Sequence, residues 1–268
     1  MISFPNAKLN LGLSITGKRD DGFHFIETIM VPTHFCDALE FVESKKDSFN
    51  LSGISVAGHK QSNLVLKALN LVREKYKIPP LNIHLHKNIP VGAGLGGGSA
   101  DGAFMIKMLN EYFKIGMETS EMKKTASLLG SDCSFFIQNI PQIVTGTGEI
   151  MEEINFHLPG KYLFILKPNF SISTKDAYNG IEVNENPKEP KKIIQNDILS
   201  WKKDLKNEFE TKLFMTHPEI ENIKDKLYVS GAIYASMSGS GSAVYGIFNK
   251  KPIVETNLKS YIIHTEKL

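Results

Sequence analysis

Apolar and polar residues alternate near the start of the chain. Ala7, Leu9, Leu11 and Leu13 fall on one side of a strand, and Lys8, Asn10, Gly12 and Ser14 on the other. The alternation returns at Leu81, Ile83 and Leu85, and strands are also predicted at 38–42, at 162–166, and at 232–237 and 243–248 around a turn at 238–242. Between these stretches the spacing becomes helical. Leu64, Val65, Ala68, Leu69 and Val72 share one face over 62–76, behind a Ser62 or Asn63 cap. Ala103, Phe104, Met108 and Leu109 form a stripe over 99–113, and 119–129 runs from a Thr119 or Ser120 cap to Gly130. Further helices are predicted over 201–214 and 218–228. Residues 182–192, rich in Asn, Pro, Glu and Lys, read as a mobile loop.

Strands mixed with helices in this way predict an α/β (α+β) fold. With 268 residues the chain exceeds one comfortable core and suits two modest domains. The stretch 155–161 reads as a boundary, giving domains over 1–155 and 156–268.

Charge narrows the choice of partners. The 31 basic and 29 acidic residues leave a net charge of +2, so no overall field favours nucleic acid or an anionic membrane. Phosphate binding then has to come from a local site. No apolar run approaches the roughly 20 residues of a membrane span. The first residues carry charges and lack the apolar core of a signal peptide. Cys36 and Cys133 lie far apart without metal-ligand spacing, so the expectation is a cytoplasmic protein with reduced thiols and no cysteine metal centre. No pattern bears on subunit number.

The richest stretch is Pro90-Val91-Gly92-Ala93-Gly94-Leu95-Gly96-Gly97-Gly98-Ser99-Ala100. Its glycines permit positive φ and close approach of a ligand, and it runs straight into a helix. Free amides and the positive helix end make a natural phosphate cradle. A Walker loop would need Lys and Ser or Thr after the last glycine, which Ser99-Ala100 does not supply. Gly92, Gly94 and Gly97 match GxGxxG. However, Lys87-Asn88-Ile89-Pro90 separates them from the preceding strand, and the acidic residue in the right register, Glu111, falls inside the helix. A glycine turn without a ligand is the plain alternative.

The stretch from Pro90 to Ala103 resembles the phosphate motif of the GHMP kinase family, Pro-x-x-x-Gly-Leu-Gly-Ser-Ser-Ala. The resemblance extends to Ala7-Lys8-Leu9-Asn10-Leu11-Gly12-Leu13, Gly22-Phe23-His24, Leu129-Gly130-Ser131-Asp132 and Met237-Ser238-Gly239-Ser240-Gly241-Ser242. The triple glycine resembles the branch whose acceptor is a cytidine diphosphate sugar alcohol. The resemblance implies an N-terminal domain like ribosomal protein S5 and a ferredoxin-like C-terminal domain. It also implies ATP as co-substrate with Mg²⁺, and phosphorylation of an acceptor hydroxyl in non-mevalonate isoprenoid synthesis.

A lone lysine on a polar strand face is ordinarily a solvated charge. The resemblance places Lys8 beside a catalytic aspartate and the acceptor hydroxyl, and implies that Asn10 contacts substrate. Asp132 is by its position a possible cap for the next turn; by resemblance it is the general base. Its neighbours Ser131, Cys133 and Ser134 depart from the family's usual Ala and Val-Pro. Phe23 and His24, otherwise unremarkable in a turn, are implied to stack on and hydrogen-bond a cytosine, with Tyr178 on its other face. Ser173 and Lys175 stand where the family's Ser-Ile-x-Thr stretch commonly carries proline. Ser238–Gly241 is a hairpin turn by pattern and a frame for the phosphates by resemblance. Asn207–Glu210 resembles a structural signature. Ser99 is a candidate oxygen donor to the metal, and no second protein ligand is identified.

Overall fold

The computed structural model describes residues 1–55, 60–179, 181, 183–184, 187–253 and 256–268. The chain opens with a two-residue strand, β1 (Ile2–Ser3), and a long one, β2 (Asn6–Lys18). The alternation in β2 does not separate core from solvent, because both faces are buried from Asn6 to Ile15. Lys8 and Asn10, expected on a polar face, are 3% and 1% exposed. Next come β3 (His24–Cys36), β4 (Ala38–Glu43) and β5 (Ser48–Gly53). Helix α1 (Leu64–Arg73) starts at Asn63, whose side chain accepts the amide of Val65. Strand β6 (Leu81–Lys87) leads through the glycine loop to α2 (Gly97–Tyr112), followed by α3 (Thr119–Ser127) and α4 (Phe135–Gln138).

The chain continues through β7 (Gln142–Thr145), β8 (Ile150–Glu153), β9 (Tyr162–Leu166), α5 (Thr174–Tyr178) and α6 (Pro190–Ile193). Residues 182, 185 and 186 of the expected loop lie outside the described residues, and its end is the single turn α6. The helix expected over 201–214 is two helices, α7 (Ile198–Asp204) and α8 (Phe209–Thr216). The break has a clear cause: Lys206 and Glu208 exchange backbone hydrogen bonds with Leu13, which draws the intervening chain out beside β2. The remaining elements are α9 (Pro218–Val229), β10 (Tyr234–Met237), β11 (Val244–Phe248) and β12 (Ile262–Lys267).

These elements fall into two compact units, each assembled from separate chain segments. One comprises Met1–Lys8, Pro32–Val91 and Gly96–Ile140. Its sheet has the order β1-β4-β6-β5, with β5 parallel to β6 and the other pairs antiparallel. Leu39, Phe41, Phe49, Leu81, Ile83 and Leu85 make its buried face. α1 packs on α2, and α2 on α3 and α4. The other unit comprises Leu9–Val31, Gly92–Leu95 and Pro141–Leu268. Its sheet β10-β11-β9-β12 is antiparallel throughout, the ferredoxin-like order. α8 and α9 pack together, α9 lies on β10 and β11, and Phe164, Leu166, Leu213, Ile220, Ile223, Leu227, Val244 and Phe248 fill the core. Each such side chain contributes about 1.5–3 kcal/mol by leaving water. A third sheet, β2-β3-β7-β8, completes the fold.

Candidate active site

The glycine loop has the conformation its composition predicts. Gly92, Gly94 and Gly96 have φ of +67°, +74° and +71°, a region that side chains enter at a cost. Space is limiting as well. A Cβ on Gly94 would stand 2.0 Å from the Ser238 carbonyl oxygen, and one on Gly97 would stand 2.7 Å from Ile89 Cγ2. Gly96 faces the Phe136 ring and the Lys8 stem, at 3.0 and 3.1 Å from its would-be Cβ. Gly98 differs: nothing lies within 4 Å of that position, and the residue is exposed. Helix α2 begins here with no side-chain cap, and its first intrahelical bond is Ala100 N–H to Gly96. The amides of Gly97, Gly98 and Ser99 therefore precede the helix's own ladder and point out of its positive end.

Lys8 and Asp132 meet in the unit that holds α2, with Nζ 3.5 Å from Oδ2. The lysine side chain is 4% exposed and the aspartate 30%, so the carboxylate opens to solvent while the ammonium is enclosed. Asp132 sits in a short turn, Ser131–Cys133, anchored by buried Cys133, Phe135 and Phe136. No side chain caps the start of α4, so Asp132 is not used as its cap. Burial pushes the Cys133 thiol up to about 11, against the hydrogen bond from Ser99, so it stays protonated at neutral pH. Ser99 is thereby placed beside the Asp132 turn.

In the other unit, Asn10 is bound into the fold. Its amide nitrogen donates to Thr28 Oγ1 at 3.1 Å, and its carbonyl oxygen accepts from the Tyr245 hydroxyl at 2.9 Å. The Ser238–Ser242 turn packs on the loop: Ser238 Oγ donates to the Gly94 carbonyl at 2.9 Å, and the Ala243 amide to that of Ala93 at 3.1 Å. Asn207 steadies the turn by donating to the carbonyls of Met237 and Gly239, at 2.9 and 2.8 Å. That accounts for the structural signature at Asn207–Glu210.

Of the three rings expected around a base, two come together. His24 stacks on Tyr178 with ring centroids 5.1 Å apart and planes at 23°, and Phe209 meets Tyr178 edge-on. Phe23 is 65% exposed. Burial and the nearby Lys18 charge lower the His24 pKa, so the imidazole is neutral at pH 7. Its Nε2 is buried with no hydrogen-bond partner, a hydrogen-bonding site left for something else to meet.

These features accord with what the chain resembles. A model of the GHMP kinases N-terminal domain matches residues 63–146, and one of the GHMP kinases C-terminal region matches 191–259. A relative from Parabacteroides distasonis, named 4-diphosphocytidyl-2-C-methyl-D-erythritol kinase, is 48% identical over 250 residues, 93% of this chain and 92% of its own. The chain belongs to the GHMP kinase family. A second relative of this GHMP kinase, from Cytophaga hutchinsonii and bearing the same name, is 45% identical over 94% of both chains. The crystal structure of a 4-(cytidine 5'-diphospho)-2C-methyl-D-erythritol kinase superposes with a TM-score of 0.79 at 25% identity, covering 92% of this chain and 90% of that one. A mevalonate kinase matches at 0.67 and 15% identity, covering 93% and 91%, and shares the fold.

The sequence reading of this GHMP kinase missed one charged cluster beside the loop. Lys87 lies between Asp37 and Asp101, and all three are at most 2% exposed. A signal was present: Lys87 continues the Leu81, Ile83, Leu85 alternation onto the buried face, and Asp101 lies three and seven residues before Phe104 and Met108. A charge at a core position of two neighbouring elements marks a buried pair.

Proposed function

We infer that this kinase transfers the γ-phosphoryl group of ATP to the 2-hydroxyl of 4-diphosphocytidyl-2-C-methyl-D-erythritol, the kinase step of non-mevalonate isoprenoid synthesis. The observation that carries the inference is the pairing of Lys8 with Asp132 in a chain that matches relatives of that name along almost its whole length. In this reading Asp132 takes the proton of the acceptor hydroxyl as its oxygen bonds to phosphorus. The bond from phosphorus to the β-phosphate oxygen breaks, and ADP leaves with that electron pair. Lys8, with Nζ 3.5 Å from the carboxylate, orients the hydroxyl. The amides of Gly97, Gly98 and Ser99 receive phosphate oxygens, and His24 and Tyr178 hold the cytosine, with Phe23 added from the turn. Asn10, tied to Thr28, orders the strand that bears Lys8.

Magnesium held with the nucleotide near Ser99 would supply neutralisation of the phosphate charge. The Ser99 hydroxyl, at the start of α2, is a hard oxygen donor that suits it. No group of three His, Cys, Asp or Glu side chains among the described residues is placed to hold a metal, so phosphates and water would complete its shell.

Two measurements test the reading. ADP release should be fast with the cytidine acceptor and slower by several orders of magnitude with mevalonate, homoserine or galactose, because a site built for hydrogen bonds rejects ligands that lack them by about 10⁴-fold. Turnover of one of those three with none on the cytidine compound would refute the assignment of substrate. The second concerns the phosphate cradle. Gly98→Val should abolish detectable ATP binding by calorimetry while the melting temperature holds, since the site of the new side chain is open and helical glycine is already unfavourable. Tight ATP binding by the variant would place the nucleotide elsewhere. Valine at Gly96 or Gly97 is a poorer probe, because Phe136 and Ile89 stand in the way and the fold itself would be disturbed.

A further inference from the structure

Strand β6 ends on Lys87, whose ammonium contacts Asp37 and, at 2.7 Å, Asp101. The other oxygen of Asp37 accepts the amides of Asn88 and Ile89, at 2.6 and 2.8 Å. The backbone approaching the glycine loop therefore hangs on Asp37, and the second turn of α2 is tied to the end of β6 through Asp101. The first turn of α2 rests on the same groups: a Cβ on Gly97 would stand 2.7 Å from Ile89 Cγ2 and 3.4 Å from Lys87 Nζ. Three charged side chains in a dry pocket are an expensive way to hold a fold, since apolar side chains of like volume do it as well or better. What they provide here is a fixed placement of backbone on either side of the loop.

We propose that Asp37, Lys87 and Asp101 are positioning residues for nucleotide binding, which hold the Asn88–Ile89 approach and the start of α2 so that the Gly97, Gly98 and Ser99 amides converge on a phosphate. The proposal rests on the assignment of ATP to this loop. Burial pushes the Asp101 carboxyl well above its ordinary range, against the pull of Lys87, and its Oδ1 has no hydrogen-bond partner.

Asp101→Leu tests this directly. It leaves Lys87 paired with Asp37, so the melting temperature should stay near that of the wild type, while the tether from β6 to α2 is lost. The expected result by calorimetry is a Kd for ATP weakened about tenfold or more, because a site set loosely by about an ångström loses much of its function. The Kd for the cytidine acceptor should change less than about twofold. Asp101→Asn restores the bond to Lys87 and should bring ATP affinity back to within about threefold of the wild type. If the leucine is not accommodated, Asp101→Ser removes the tether with less added bulk and is judged by the same criteria. A folded variant that binds ATP like the wild type overturns the proposal, as does failure of Asp101→Asn to restore affinity. Loss of the fold in both tether-less variants would make the cluster structural and overturn it too. Absence of ATP binding by the wild-type chain would instead refute the nucleotide assignment and, with it, this role.

Discussion

Asp132→Asn is expected to lower kcat by about 10² to 10⁴, the usual contribution of a positioned base. The asparagine keeps the size of the side chain and its place on the Ser131–Cys133 turn, but it cannot accept a proton and offers Lys8 no charge. Asp132 is 30% exposed but the Lys8 side chain is 4% exposed, so loss of the facing charge should also lower the melting temperature, and the fold is checked by thermal melting. ATP affinity should be unchanged, because the amides of Gly97, Gly98 and Ser99 carry the phosphates in this reading. The loss should therefore appear in kcat and kcat/KM alike, as expected for a group that acts in the transition state. Single-turnover measurement of ADP formation, with ATP Kd measured alongside, separates the two. A variant with near-normal kcat would remove Asp132 from the chemistry and leave Lys8 without a partner in the proposed mechanism.

The second large effect is expected at the base end. Tyr178→Ala should lower kcat/KM for the cytidine acceptor by about 10- to 100-fold, since stacking of a base on an aromatic ring is worth about 1–3 kcal/mol. His24→Ala should act in the same direction and should also narrow the gap between cytidine and uridine compounds. The reason lies at Nε2: a buried, unpartnered ring nitrogen distinguishes a base that meets it from one that does not. Both variants should bind ATP within about twofold of the wild type. Initial rates with the cytidine acceptor and its uridine analogue decide the matter. Equal loss of ATP and acceptor affinity would point to general loosening of the fold.

Local chemistry was legible in the chain where one element sufficed to carry it. The glycine loop, the Asn63 cap and the Leu81–Leu85 alternation each depend on neighbours in sequence, and each stands in the structure as read. Strand β3 was not legible. Phe25, Ile26, Ile29, Met30 and Val31 obscure any period of two, and Pro32 argues against a strand. The pairing of β3 with β7 ends at Met30, two residues before the proline. Lys8 and Asn10 were placed on the correct face of β2, but that face is buried, which only the later strands and helices could decide. The same holds for the split between α7 and α8, which rests on hydrogen bonds to Leu13 from far along the chain. Asp37, Lys87 and Asp101 are separated by up to 64 residues, counted from 37 to 101, and their meeting is a property of the fold. For the candidate site, Lys8, Asp132, His24 and Tyr178 were named from sequence, but the stack of His24 on Tyr178 was not, nor was the support beneath the loop.

The stack of His24 on Tyr178 has a consequence for ligand affinity. Tyr178 already has a flat ring against it, tethered to the same unit, so a base that stacks there, as proposed, competes with an internal rival. A tethered competitor acts at an effective concentration on the order of millimolar or higher. A free pyrimidine base, with only its own stacking to offer, would exchange one ring for another and gain almost nothing. An acceptor that also holds the protein through its diphosphate and polyol can displace the imidazole and turn it from rival into hydrogen-bond partner. If the proposed base site lies on Tyr178, it would discriminate by size of ligand as well as by type of base, with fragments refused because the protein's own side chain stacks in their place.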